Sequence, residues 1–316
     1  MSASPDDAPA TDAPATDAPA TDDATVFAEH RSLLFTVAYE MLGSVADAED
    51  VVSESYLRWV ERPANTVVQH PRAYLVRIVT RLSLNRLRTV ARRREDYVGP
   101  WLPEPVLTVP DVVDDVVLAE SVSLALLVLL ESLSPAERAV FVLRDVFGYS
   151  YDEIADAVDK SSAAVRQIAH RAHDRIRERR PRFDADAATA EQVRSRFAAA
   201  MFGGDLQSLM DVLAPDVVLL SDGGGKVSAA RRPLNGADPV ARFLLGIARK
   251  GDLAGGRTVI EEVLVNNAPA WLMSEEGRPI AVAQLTVLDG LVQTVHVVSN
   301  PDKLGGIDRT RPLTLG

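Results

Sequence analysis

The sequence predicts a multidomain protein in which two all-α units precede an α+β unit. Three observations carry that expectation. The chain has 316 residues, more than one hydrophobic core of ordinary size accommodates. Apolar residues recur with a helical period through residues 26–94 and again through 116–182, and the stretch between is broken by Pro100, Pro103, Pro105 and Pro110. Beyond residue 186 a helical start gives way to runs rich in Val, Thr and Leu separated by turn residues, the pattern of strands packed on helices.

Residues 1–25 carry six Asp and no basic side chain, and within them "APATD" repeats over 8–22 with no large apolar residue until Val26. Such a segment cannot offset its ordering entropy and reads as a disordered acidic tail. From Phe27, "FAEHRSLLFTVAYEML" is helical and stops at Gly43. Ser44 with Asp47 opens a second helix, "VADAEDVVSESYLRWVE", and Pro71 opens a third, "PRAYLVRIVTRLSLNRLRTVARRR". Tyr74, Leu75, Ile78 and Leu82 supply the buried stripe of that third helix and leave most of its Arg outside. Residues 95–115 are a linker, and "GPWLPEP" at 99–105 sets Trp101 among prolines where neither a helix interior nor a central strand forms.

Residues 116–182 are helical again. Ser134, Pro135 and Glu137 start a helix that runs to Gly148, and Ser150 with Glu153 starts a short one that turns near Asp159. A long helix begins near Ser161 or Ser162, with Val165, Ile168, Ala172 and Ile176 as its inner stripe, so that Arg166, Gln167, His170 and Arg171 face outward. This is a helix-turn-helix whose second helix is basic. From 186 to 316 two helices precede the alternating "DVVLLSDGGG", a further helix near 237–250 and strands at 258–265, 270–273, 279–288 and 291–298. Consecutive hairpins after helices suggest one curved antiparallel sheet packed on helices.

The net charge of -11 conceals segregation. Residues 71–94 carry eight Arg and no acid, residues 95–131 carry eight acids and no base, and residues 160–182 carry Lys160 and seven Arg against Asp174 and Glu178. Two basic segments joined by an acidic connector point to nucleic acid, and the coincidence of inner stripe, paired caps and cationic excess favours DNA binding over the alternative of a helical hairpin with a solvated basic face. Neutralising six to eight phosphates would make log K fall with log salt at roughly -5 to -7. The densest apolar run, "VSLALLVLL" at 122–130, is too short for a membrane span, and a secretory start is not evident. With no Cys and no His pair at metal-binding spacing, the expectation is a soluble cytoplasmic protein with no metal, cofactor or membrane partner.

These residues carry a resemblance. "GSVADAEDVVSESYLRWVE", "PRAYLVRIVTRLSLNRLR" and "LSPAERAVFVLRDVFGYSYDEIADAVDKSSAAVRQIAHRAHDRIRE" resemble, in that order, regions 2 and 4 of bacterial extracytoplasmic-function sigma factors, the promoter-recognition subunits of RNA polymerase. "GPWLPEP", "SDGGGK" (221–226) and "NPDKL" (300–304) further resemble the subgroup with a fused C-terminal SnoaL-like domain of the NTF2-like, cone-shaped fold. The resemblance implies a tail at 1–25, region 2 at 26–94, a Trp/Pro linker at 95–115, region 4 at 116–182 and the SnoaL-like domain at 186–316. It implies that core RNA polymerase is bound at its β′ clamp and β flap, with Asp47, Glu49, Asp50 and Glu54 facing the clamp.

By the same resemblance the loop from Arg62 to His70 and the helix after it, with Arg77, Arg81, Asn85 and Arg88, take the -10 strand. Ser162, Arg166, Gln167, His170 and Arg171 read the -35 duplex. Single-strand capture needs stacking and cationic tracking, whereas duplex readout needs a helix in the major groove. Arg81 stands where many members carry Asn, which leaves the -10 base preference open. Trp101, Leu102 and Pro103 are expected against Asp222, Gly223, Gly224, Gly225 and Lys226 and against Asn300, Pro301, Asp302, Lys303 and Leu304, with Trp101 packed near the glycine turn.

Two other functions compete. A SnoaL-like cyclase or isomerase tethered to DNA-binding helices would use Asp222 and His296 as acid and base, although Asp222 also reads as a turn residue and His296 as a sheet residue. A helix-turn-helix repressor would bind DNA without polymerase. The chain is read as carrying no catalytic residue, and a small ligand in the C-terminal domain is left open.

Overall fold

The computed structural model describes residues 23–63, 65–95, 97–108, 123–179, 187–250, 257–307 and 309–314. The expected tail, apart from its last three residues, lies outside them. The first helical unit comprises α1 (Asp23–Leu42), α2 (Val45–Val60) and α3 (Pro71–Glu95). Helix α1 starts inside the segment expected to be disordered. The Arg62 guanidinium donates to both carboxylate oxygens of Asp23, at 2.6 and 3.0 Å, and the Trp59 indole N–H donates to the Asp23 carbonyl at 2.9 Å, which ties the first turn of α1 to the end of α2. At the other end Gly43, at φ +66°, donates its N–H back to the Tyr39 carbonyl, and Ser44 caps α2 by accepting from the Asp47 N–H.

The second unit holds α4 (Leu124–Leu130), α5 (Pro135–Phe141), α6 (Tyr151–Val158) and α7 (Ser162–Arg179). Both expected capping boxes are present, at Ser134/Glu137 and Ser150/Glu153, and Asp159 makes the turn in the left-handed region at φ 56°. The helix expected to run unbroken to Gly148 instead widens into a π turn over Val142–Val146. That turn keeps Leu143 and Val146 buried while the Tyr149 N–H reaches the Leu143 carbonyl. Val165, Ile168, Ala172 and Ile176 are buried as the inner stripe, and one continuous apolar core contains them together with Leu34, Val37, Trp59 and Leu75 of the first unit.

The third unit contains α8 (Ala187–Gly203), α9 (Leu206–Val212), α10 (Ala237–Lys250), α11 (Pro301–Leu304) and most of a seven-stranded sheet. Its strands are β1 (Leu107–Thr108), β2 (Leu213–Asp222), β3 (Leu234–Asn235), β4 (Thr258–Val265), β5 (Ala268–Glu275), β6 (Arg278–Leu288) and β7 (Leu291–Val298), in the spatial order β1-β4-β5-β6-β7-β2-β3. The sheet is mixed, not antiparallel throughout, because β2 enters beside β7 in the same direction. The linker also departs from expectation. Its Leu107 and Thr108 pair with Val265 and Leu264 as an edge strand, where only one side of the backbone needs a partner.

The two sheet faces are covered differently. Helices α8, α9 and α10 lie on one, through Val193, Phe197, Leu209, Val240 and Leu244, and the Phe197 ring stacks on Trp271 at 5.8 Å and 16°. The opposite face, with Val265, Ala270, Leu272, Val282 and Val298, is covered by Leu102 of the linker and by Leu304 and Ile307. Among the described residues no helix is long and apolar enough to cross a membrane.

Candidate nucleic-acid interface and the contacts that cover it

The outer face of α7 is exposed among the described residues. Arg166, Gln167, His170 and Arg171 are all exposed there, one and four residues apart, while the intervening Val165, Ile168, Ala169 and Ala172 are buried. Ser162 is half-buried and donates its hydroxyl to the Asp152 carboxylate, which locks the start of α7 to α6. Arg166 lies 5.4 Å from the Tyr151 ring, His170 faces Asp174 at 2.9 Å, and Arg171 is 4.0 Å from the buried Glu137. The Ser134 hydroxyl and backbone and the Arg175 guanidinium hold the Glu137 carboxyl below its ordinary range despite burial.

The corresponding face of α3 is partly in use. Arg77 pairs with Asp156 at 2.6 Å, and the Arg81 guanidinium donates to the Asp156 carbonyl at 2.8 Å and to the Ala157 carbonyl at 3.3 Å. Asp156 and Ala157 belong to α6, so the first helix of the helix-turn-helix covers the N-terminal half of this cationic surface. Asn85 and Arg88 remain exposed, and the Arg88 guanidinium donates to the Asn85 side-chain oxygen at 3.1 Å. A cavity of about 370 Å³ separates the loop at 66–70 from α6, lined by Val68, His70, Tyr74, Tyr149, Ile154 and Ala157.

Each acidic residue singled out on α2 already faces an intrachain cation. Arg86 bridges Asp47 at 2.6 Å and Asp50 at 2.7 Å, Arg58 meets Glu54 at 2.7 Å, and Arg31 meets Glu49 at 2.6 Å. Glu49 takes a second cation, Arg311, from the C-terminal segment. That segment continues across α1, where Leu313 joins the helical core and the Thr314 N–H donates to the Thr36 hydroxyl at 3.1 Å.

The three linker motifs meet. The Asp222 carboxylate, fully buried, accepts from the Tyr97 hydroxyl at 2.6 Å, the Leu102 N–H at 2.9 Å and the Gly224 N–H at 3.0 Å, and pairs with Lys303 at 2.8 Å. Lys303 also donates to the Leu102 carbonyl, and Asn300 donates to the Tyr97 hydroxyl at 2.7 Å. Burial, with the Asp222 charge behind it, pushes the Tyr97 hydroxyl up from its ordinary range. A side chain at Gly224, at φ +60°, would run into Asn300. Pro301 and Asp302 lie at the exposed start of α11, where Lys226 pairs with Asp302 at 2.6 Å; Leu304 points into the sheet-face core and Pro103 is buried.

Trp101 is not on the glycine turn. Val98 packs against Gly225 and Gly99 against Arg231, and they occupy the place expected for the indole. Trp101 instead lies over Gly43 at the end of α1 and under the Lys303 ammonium, 3.9 Å from the ring centroid. The left-handed glycine that ends α1 has no Cβ, and a ring fits against its backbone. A side chain there would come within 2.9 Å of the indole.

Comparison with known proteins agrees with this architecture. Residues 26–94 match the family model of sigma-70 region 2 and residues 123–176 that of sigma-70 region 4. The ECF RNA polymerase sigma factor SigJ of Mycobacterium tuberculosis is 39% identical over 294 residues, covering 90% of this chain and 94% of that protein. The chain belongs to the extracytoplasmic-function RNA polymerase sigma factors. The crystal structure of M. tuberculosis SigJ superposes with a TM-score of 0.72 at 37% identity, covering 92% of this chain and all of the other. The probable sigma factor SigI of the same species is 32% identical over 279 residues, 87% of this chain and 92% of that one. Promoter-directed transcription initiation with RNA polymerase is therefore the activity, and the fold is two all-α sigma domains with an α+β C-terminal domain.

This sigma factor holds contacts that motif reading did not reach. The Tyr39 hydroxyl donates to the Glu104 carbonyl at 2.5 Å and accepts from the Asn266 side-chain amide at 2.7 Å, and the Asn266 oxygen accepts from the Val106 N–H at 3.2 Å. Asn266 sits in the tight β4–β5 turn with Asn267, at φ 53° and 58°; the Asn-Asn pair was the available signal. The Glu104 carboxylate caps α2 from outside, accepting from the Ser44 hydroxyl at 2.9 Å and the Val45 N–H at 2.7 Å. Arg138 is buried between the helical units, pairs with Glu131 at 2.5 Å and donates to the Glu40 carbonyl at 3.1 Å. A buried Arg inside "PAERAVF" leaves no mark in the sequence.

Asp222 and His296, the pair an enzyme would need, are both committed to the sheet face under the linker. Asp222 is saturated by the partners above. His296 lies opposite Gln284 and Leu220 in the sheet, and burial pushes its imidazole down to about 4. Its Nδ1 has no hydrogen-bond partner among the described residues.

Proposed function

We propose that α7 of this sigma factor reads the -35 duplex in the major groove while α3 and the loop from Arg62 to His70 capture and melt the -10 strand. The exposed Arg166, Gln167, His170 and Arg171 face carries this reading, because those side chains suit base-edge and phosphate contacts and the helix-turn-helix presents them together. Ser162 holds the start of that helix. Arg77, Arg81, Asn85 and Arg88 track the single strand, and the exposed acids of α2, with Asp47 and Glu49 beside them, seat on the β′ clamp. Region 4 meets the β flap. The working modules are residues 26–94, 95–115, 116–182 and 186–316, acting in the cytoplasm without chemistry of their own.

The arrangement described is a closed one. Arg77 and Arg81 are occupied by α6, and Arg311 lies on Glu49, so promoter and polymerase binding require the helical domains to part. The SnoaL-like domain controls that step through the linker, whose Leu102 and Tyr97 it holds with Asp222 and Lys303.

In vitro transcription with core RNA polymerase on a promoter library tests the assignment. Arg166→Ala and Gln167→Ala should each relax base preference at single -35 positions by about 1–3 kcal/mol while cosedimentation with core stays unchanged. Failure of the full chain to cosediment with core at low salt, or unaltered -35 preference in both variants, overturns the reading.

A further inference from the structure

Where α1 meets α5 the molecule buries a carboxyl group to which no described residue donates a hydrogen bond. Glu40 has no exposed surface, and neither of its carboxyl oxygens has a hydrogen-bond partner among the described residues. The nearby cation does not serve it. Arg138 directs one terminal nitrogen to Glu131 of α4, gives its Nε to the Glu40 backbone carbonyl and leaves the other terminal nitrogen unsatisfied. Tyr39, next along α1, turns its hydroxyl to Glu104 and Asn266 instead. Among the described residues Arg138 is the charged group that acts on the Glu40 carboxyl.

We propose that this seam is a proton-linked latch: Glu40 enters the closed arrangement as the neutral acid, and the helical domains part as it ionises. A carboxylate without hydrogen bonds in an apolar setting is strongly disfavoured, whereas the protonated acid is tolerated there. One guanidinium already shared with Glu131 does not offset that cost. Burial accordingly raises Glu40 from 4.5 to about 8 against the pull of Arg138, while Arg138, lowered by burial to about 10, keeps its charge at neutral pH.

The direction follows from linkage. The closed state binds the proton more tightly than the open one, so closure is fully favoured below pH 4.5, weakens as pH rises, and reaches its minimum above about 8. Within that window the open-to-closed ratio rises by up to about tenfold per pH unit. His296, with its imidazole lowered from 6.5 to about 4, stays neutral in both states above that range and does not interfere.

The chain has no cysteine, so Ser53→Cys on α2 and Arg177→Cys on α7, both exposed in the full chain, take a pair of spin labels without background. Distance distributions are recorded between about pH 6.5 and about pH 8.5 at constant ionic strength. The expected result is a long-distance population that grows with pH in the otherwise native chain and is suppressed and pH-independent in Glu40→Gln, which keeps the shape of the neutral acid. Equal pH slopes with and without Glu40→Gln, or no change in either, overturn the proposal. If Glu40→Gln does not fold, infrared difference spectra of the native chain decide: a protonated-carboxyl stretch that disappears with the same midpoint supports the latch, and its absence overturns it.

Discussion

The seam between linker and fused domain and the seam between the two helical domains are both buried and polar, yet they are finished differently. At the first, Asp222 gathers Tyr97, Leu102, Gly224 and Lys303, and each partner is itself tied down. At the second, the Glu40 carboxyl and one Arg138 nitrogen have no hydrogen-bond partner among the described residues, and Arg77 to Asp156 and Arg81 to backbone carbonyls lie near solvent. Satisfied buried networks rigidify, whereas unsatisfied ones mark where a structure opens at least cost. The contrast teaches that the C-terminal α+β domain is held to the linker by a satisfied polar network, whereas the two helical domains share an apolar core that encloses a carboxyl group with no hydrogen-bond partner among the described residues.

The sharpest way to break that contrast is Asp222→Ala. It takes from the buried Lys303 ammonium its carboxylate partner and should cost about 3–5 kcal/mol in denaturant unfolding, with early proteolysis in the linker. A loss below about 1 kcal/mol would make the two seams equivalent. Next comes acid. His296 is lowered by burial from 6.5 to about 4, so its neutral form supports the fold fully above pH 6.5 and loses that support as pH falls toward 4, by at most about 3 kcal/mol. His296→Gln should flatten the stability profile over that interval.

Smaller effects separate the seams further. Asn266→Ala removes the amide that joins Tyr39 to the linker and should cost about 1–3 kcal/mol, read as a lowered melting temperature. Asp156→Ala deletes an ion pair whose carboxylate is 62% exposed, so stability should change by less than about 1 kcal/mol. It should nonetheless free Arg77 and raise affinity for a single-stranded -10 oligonucleotide severalfold. If affinity does not rise, α6 is not what covers the strand-binding face.

The helix-turn-helix was legible because its signals are local. Two capping boxes, a left-handed Asp159 and a stripe from Val165 to Ile176 lie within a few turns of one another and need no distant partner. The hairpin strands were legible for the same reason. The parallel β2–β7 pairing was not, since both strands alternate in the same way whichever direction they run. The short strand at Leu107 was hidden because an edge strand takes its hydrogen bonds from β4, about 160 residues away in sequence.

The sequence by itself determined the order of the units, the basic faces of α3 and α7, and the three motifs that meet at the linker. Those properties follow from periodicity, charge and turn chemistry, which act over a few residues. Tertiary structure alone decided that Trp101 rests on Gly43 and Lys303, that Arg77 and Arg81 are covered by α6, and that Glu40 is enclosed without a hydrogen-bond partner among the described residues. Each of these depends on which surface arrives opposite a side chain. Burial and desolvation are set by that arrival, so the contacts between this sigma factor's domains become visible only when the domains are packed together.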